Sequence, residues 1–285
     1  MKMTTMTALW ALAAGTALIA ACAKKEAATA PAEATAGAED LKTAPVEVEP
    51  AIPDVDYAAV AAAAVADPGR PEEDRKDDER RKAAATLEFM QIAPAAYVFE
   101  IEAGSGWYTE LLSHAVGPQG SVVMQNPEGF LAFVGEQINA RLADGRLANV
   151  TQSLSNFDAL AAEDGTVDLV TWVQGPHELY YKPDDGSSLG DPAKSYAEIF
   201  RITKPGGAFV VIDHSAEAGA PETSGNDLHR VDKAIVIAMA ESAGFTLEAE
   251  SDFLANPEDP LTVGVFDPSI RGATDQFAFR FRKPR

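Results

Sequence analysis

Tyr97-Val98-Phe99-Glu100-Ile101-Glu102-Ala103-Gly104-Ser105-Gly106 runs directly into Trp107-Tyr108-Thr109-Glu110-Leu111-Leu112. The apolar run reads as a buried strand, the Gly-x-Gly as the turn that ends it, and the residues after it as a helix that starts at once. Glycines at such a turn let the backbone approach a ligand closely, and the carboxylates before them can accept hydrogen bonds from it. A doubly wound sheet opens a nucleotide-type site at its carboxyl edge in this way.

Working outward from that stretch, strand and helix signals alternate. A first helix is expected over 78–90, where Ala84, Leu87 and the Phe89/Met90 pair follow a 3.6-residue period and Asp77 or Asp78 can cap the start. Strands are expected at 97–101, 121–125, near 150, 167–173 and 208–213. Helices at 107–116, 130–142, 158–162 and 192–202 separate them, and Lys204-Pro205-Gly206-Gly207 is a stop signal. A helix over 228–243 ends at Gly244, a residue suited to the left-handed helix cap. The last strands, 245–254 and 276–283, alternate apolar with polar residues and have no helix between them. The expected fold is therefore α/β: a doubly wound, Rossmann-like, mostly parallel seven-stranded sheet with an antiparallel terminal hairpin.

The 285 residues suffice for one large domain with a sizeable core. Residues 1–21 have the layout of a secretory signal: Met1-Lys2, an apolar segment over 8–19, then Ile19-Ala20-Ala21 before Cys22. Cys22 is the only cysteine, so neither an intramolecular disulfide nor a thiolate zinc site is possible. A lone cysteine can also be a buried apolar filler. Residues 22–70 are rich in Ala, Pro and Glu and read as a disordered tether, with a loose helix over 56–67. The folded domain is expected over 71–285. The formal charge is −21, and residues 1–70 hold only nine acidic and five basic side chains of the totals of 44 and 23. A domain surface this acidic repels phosphate backbones, which excludes nucleic acid as a partner.

The order and spacing of these segments resemble the class I S-adenosylmethionine-dependent methyltransferases. The stretch 100–106 resembles that family's first motif, an acidic residue, three variable positions and Gly-x-Gly. Asp168-Leu169-Val170 resembles its fourth strand, and Lys204-Pro205-Gly206-Gly207 its "LKPGG" turn. Gly106-Trp107-Tyr108-Thr109-Glu110, Gln125-Asn126-Pro127, Asp213-His214 and Ala243-Gly244-Phe245 are similar to a group of predicted exported bacterial methyltransferases. The N-terminal segment resembles a bacterial lipoprotein signal, in which Cys22 becomes the lipidated first residue. Ala23 after it implies, by resemblance to lipoprotein sorting, the outer membrane and a periplasmic-face location.

The resemblance implies S-adenosylmethionine as cofactor, with Glu100, Gly104, Ser105, Gly106 and Trp172 among its contacts. Glu102 is either a further contact or a cap on the next helix. The family's ribose carboxylate is replaced by Gln125-Asn126, leaving Asn126 as the candidate ribose partner. Asp158 either meets the adenine amine or caps a helix. A dinucleotide site is disfavoured because Thr109 stands where its third glycine is needed.

The segment 172–181 holds the acceptor-side candidates. His177, with Tyr180 nearby, can act as general base on an acceptor hydroxyl or amine, or it can be a surface histidine in an aromatic loop. His177, Glu178, Asp213 and His214 can converge, but no spacing there is diagnostic and no metal is assigned. The roles of His214 and His229 are open. Arg230 either holds a substrate carboxylate or pairs with Asp227 or Asp232. Asp74-Arg75 and Arg80-Arg81 read as a solvated face. The expected activity is methyl transfer to a small-molecule or lipid-like acceptor by an enzyme held at the membrane through Cys22. The alternative is a catalytically idle binding module of the envelope.

Overall fold

Five segments become the parallel strands β1 (Tyr97–Ile101), β2 (Ser121–Asn126), β3 (Val150–Leu154), β4 (Val167–Val173) and β5 (Thr203–His214) in a computed structural model. It describes residues 54–183 and 186–285; the signal segment and Cys22 lie outside the described residues. β6 (Thr246–Ser251) and β7 (Gln276–Arg282) complete one seven-stranded sheet in the order β3-β2-β1-β4-β5-β7-β6. β7 runs antiparallel to both β5 and β6, the terminal hairpin expected from the sequence.

Side-chain alternation explains why both faces are covered. On one face Val98, Leu169, Ala208 and Val210 pack with α4 (Trp107–Val116) and with α3 (Ala83–Met90). On the other, Phe99, Trp172, Phe209 and Val211 pack with α6 (Pro192–Ile202) and α8 (Lys233–Ala243). Central β1 is buried along almost its whole length, whereas edge strands β3 and β6 keep most residues exposed or half-exposed. α5 (Leu131–Leu142) connects β2 to β3. Among the described residues, no helix is long and apolar enough to cross a membrane.

The structure departs from the sequence expectations in five places. The packed body begins before residue 71: α1 (Tyr57–Ala66), capped by the Asp56 carboxylate, buries Ala61 and Ala64 and packs on α3 and α4. A short α2 (Glu72–Arg75) follows. The helix expected over 78–90 starts only at Ala83, because Asp78 receives a bidentate pair from Arg70 at 2.7 and 2.9 Å instead of capping. Residues 158–162 form turns rather than a helix. Lys204-Pro205-Gly206-Gly207 lies inside β5, where a register shift against β4 absorbs it. The helix expected over 228–243 is split into α7 (Ser224–Leu228) and α8, with His229 between them at φ 52°.

Candidate functional site

The strand order reverses between β1 and β4, and the crevice outside their carboxyl ends is where open α/β sheets bind ligands. The chain after β1 is shaped by left-handed backbone at Glu102 (φ 53°), Gly104 (58°) and Gly106 (89°). Two amides at the end of neighbouring β2 hold it there. The Gln125 Oε1 accepts from the Glu102 N–H at 2.9 Å, and its Nε2 donates to the Ser155 carbonyl at 2.6 Å. The Asn126 Oδ1 accepts from Gly104 N–H at 2.9 Å while its Nδ2 donates to the Gly104 carbonyl at 3.1 Å. Both side chains are fully buried. Asn126 is thus turned onto the loop itself, and its role is to fix the glycine turn.

The two glycines differ in what they permit. A Cβ on Gly106 would sit at a left-handed φ of 89° and push aside the Arg141 and Met124 side chains, whose Cδ and Cε lie 2.8 Å from its place. Arg141 also donates from Nε to the Ser105 carbonyl at 2.8 Å, clamping the turn. A Cβ on Gly104 would meet nothing within 4 Å. Gly104 therefore presents bare backbone to open space at the crevice.

Two carboxyls border that space. Glu100 is buried and accepts a hydrogen bond from the Thr109 hydroxyl; burial pushes its carboxyl up to about 8. Glu102 accepts from Trp172 Nε1 at 2.9 Å. Burial, with the nearby Glu178 charge, holds the Glu102 carboxyl well above the ordinary carboxylate range. A cavity of about 200 Å³ is lined by both, together with Gly104, Ser105, Trp107 and Arg81. Arg81, read from sequence as solvated, instead lies 4.7 Å over the Trp107 ring with a buried Nε that has no hydrogen-bond partner. Nothing in the local pattern signals this, because the turn over 77–82 that replaces helix sets its direction. Trp172 is fully buried, packs against Phe157 with centroids 4.8 Å apart, and acts on the site through Glu102. Gly175 passes so close that an added Cβ would lie 2.1 Å from Glu102 Oε2.

The acceptor-side candidates gather at the ends of β4 and β5. His177 lies in a 3₁₀ turn over Pro176–Tyr180 and is buried. Its Nδ1 is 2.7 Å from Asp213 Oδ1, and its backbone N–H donates to Asp213 Oδ2 at 2.8 Å. Burial favours the neutral ring, but the Asp213 charge and hydrogen bond, with Glu178, outweigh it and raise His177 to about 10. Near neutral pH it is an imidazolium, so in this state it has no lone pair with which to act as general base. Burial is also opposed at Glu178, whose close contacts with His177 Nε2 at 3.5 Å and His229 Nδ1 at 3.3 Å hold its carboxyl down at about 2. His214 is neutral, lowered to about 4 mainly by burial, with Nδ1 2.7 Å from the Thr274 hydroxyl. His229 joins this group, its ring centroid 5.4 Å from that of His177. Arg230 is not free for a substrate: fully buried, it grips Asp259 at 2.9 and 3.0 Å rather than Asp227 or Asp232.

Tyr180 and Asp158 border a separate cavity of about 510 Å³ beside Lys182 and Asp191. Burial raises the Tyr180 hydroxyl to about 12. Asp158 accepts from the Asp191 N–H at 3.1 Å; it caps no helix and is not among the residues lining the loop cavity.

Residues 78–223, which hold this loop and the 176–180 turn, match the model of the ubiE/COQ5 methyltransferase family. The chain belongs to that family. Among curated relatives, a ubiquinone/menaquinone biosynthesis C-methyltransferase from Hydrogenovibrio crunogenus is 31% identical over 130 residues, 45% of this chain and 46% of the relative. The chain thus spans about half the length of such relatives. A solved SAM-dependent methyltransferase from Aquifex aeolicus shares the fold with TM-score 0.50 and 21% identity over 75% of this chain and 98% of that one. The [4+2]-cyclase SpnF shares it with TM-score 0.53 and 17% identity, covering 80% and 94%. The cofactor of this family is S-adenosylmethionine, and the loop suits it. Gly104 leaves the room a ligand backbone needs, and two carboxyls with raised affinity for protons face a space that would take the cofactor's cationic groups. Arg81 offers a cation for its carboxylate.

Proposed function

We propose that the chain is an S-adenosylmethionine-dependent methyltransferase acting on a small-molecule or lipid-like acceptor, anchored through a lipid on Cys22 at the periplasmic face of the envelope, with the outer membrane favoured. The observation that carries this reading is the open space beside the Gly104 Cα at the β1/β4 crevice in a chain of this family. The cofactor supplies a methyl group already activated as a sulfonium, so the protein's task is alignment and exclusion of water. Arg81, Glu100 and Glu102 would hold its amino-acid end, while Gln125 and Asn126 keep the loop in shape. The Tyr180 cavity, opening beside the 176–180 turn, would receive the acceptor. Relatives named for ubiquinone and menaquinone biosynthesis favour a lipid-like one.

A second reading, an idle methyltransferase-like binding module, is favoured by one observation: both side chains where a ribose partner is expected are spent on the loop. Mass spectrometry of small molecules released from the denatured native protein separates the two. S-adenosylmethionine or its demethylated product is the expected find; release of neither favours the idle module. For the anchor, Cys22→Ala is expected to free the protein from membranes, and continued membrane association would reject it.

A further inference from the structure

The Nδ1 atom of His229 has no partner in hydrogen-bond geometry among the described residues. That nitrogen is buried and lies 3.3 Å from Glu178 Oε1, an ion-pair contact outside hydrogen-bond geometry. Glu178 Oε1 is in turn 3.5 Å from His177 Nε2. One ligand atom from each of these three residues lies within 4.8 Å of the others. Two nitrogens and a carboxylate oxygen on a zinc ion with bonds of about 2.0–2.1 Å sit roughly 3.4 Å apart at the edges of a tetrahedron. The 3.3 and 3.5 Å separations are of that size.

The support behind the cluster fits the same use. Asp213, fully buried, occupies His177 Nδ1 at 2.7 Å and so directs Nε2 into the cluster. A carboxylate behind a histidine in this way orients the ring and strengthens it as a metal ligand. His229 is delivered by the left-handed break between α7 and α8, and its ring is flanked by Tyr181 and Phe266 at 5.4 and 5.0 Å. α7 itself is pressed onto the turn: a Cβ on Gly225 would lie 2.4 Å from the His177 carbonyl oxygen. Aromatic walls and close backbone contact keep the three side chains together.

We propose that His177 Nε2, Glu178 Oε1 and His229 Nδ1 form a binding site for a divalent first-row metal ion, zinc suiting the ligand set best. Three protein ligands leave a tetrahedral position open, the pattern of sites that also take a water or substrate oxygen. Glu102, whose carboxyl senses Glu178 and Asp213, places the site next to the glycine loop. An acceptor bearing an oxygen could therefore be held by the ion beside the loop. The site does not depend on the methyltransferase reading, and its test involves no cofactor.

The purified protein, stripped with chelator and dialysed, is titrated with Zn²⁺ alone by calorimetry and with Co²⁺ alone by visible absorption. One equivalent of Zn²⁺ is expected to bind with a dissociation constant below about 1 µM, and Co²⁺ to give the visible bands of a four- or five-coordinate site. His229→Gln is expected to weaken Zn²⁺ at least ~100-fold, and Asp213→Asn, acting through His177, by about 10–100-fold. Absence of saturable binding up to roughly 100 µM overturns the proposal. So does wild-type affinity in both His229→Gln and Glu178→Gln. If a variant does not fold, as read by circular dichroism, the wild-type cobalt spectrum decides: bands support the site, and their absence overturns it.

Discussion

The glycine loop and the histidine cluster lie at the same edge of one sheet, yet they are held by opposite means. The loop is fixed mainly by uncharged groups, two amides from β2 and a Glu100 carboxyl that burial keeps protonated, with the Arg141 guanidinium as the one cation donating to it, at the Ser105 carbonyl. The cluster is fixed by charge, with His177 as a buried cation between Asp213 and Glu178. The difference matches what each would meet. A preformed cradle whose carboxyls burial holds protonated suits a cofactor with cationic groups, while Arg81 faces the same space as a partner for its carboxylate. A charged cluster holds reactive side chains in place without a ligand and lets a second cation exchange for a proton.

Truncating one member on each side tests the contrast most strongly. Asp213→Ala removes the nearer of the two carboxylates beside the buried His177 charge and is expected to cost about 3–5 kcal/mol. Asn126→Ala removes two hydrogen bonds to Gly104 and is expected to cost about 1–3 kcal/mol. Denaturant midpoints at fixed pH check both; equal costs would erase the distinction.

The next effect is pH-dependent and is read at Glu100; His177, raised from 6.5 to about 10, adds a fall of the same sign above about pH 6.5 that a change at Glu100 leaves in place. The unfolded chain releases the Glu100 proton near pH 4.5, and the folded chain holds it to about 8. The Glu100 contribution to stability should therefore fall as pH rises across that window, by at most about 1.4 kcal/mol per pH unit, and level off above it. Glu100→Gln keeps an acceptor for the Thr109 hydroxyl and should flatten that slope, as read from unfolding curves between pH 4.5 and 8. A slope unchanged in the variant would place its origin elsewhere.

The smallest stability effect carries the largest functional meaning. Gly104→Ala puts a Cβ into open space at a left-handed position, so its cost should be about 1–2 kcal/mol. If a ligand backbone occupies that space, affinity for S-adenosylmethionine should fall at least tenfold. Unchanged affinity would mean the cofactor does not approach Gly104.

The fold was legible where burial on both faces wrote continuous apolar runs, as in β1 and β4, and where Gly-x-Gly stood between strand and helix. It was less legible where a side chain competes with the backbone. Asp78 looks like a helix cap but is claimed by Arg70, and Asp158 looks like one but is claimed by the 191 backbone. His229 interrupts a helical pattern with no glycine to mark it. At the site, Glu100 to Gly106 could be named from their spacing. The inward turn of Asn126, the half-buried Arg81 over Trp107 and the meeting of His229 with Glu178 depend on contacts between segments distant in sequence, which no local pattern encodes.

Calorimetric titration of the purified protein with S-adenosylmethionine is the most direct test of the central claim. One-to-one saturable binding with a dissociation constant between roughly 1 µM and 1 mM is the expected result. No heat of binding at millimolar ligand would contradict it.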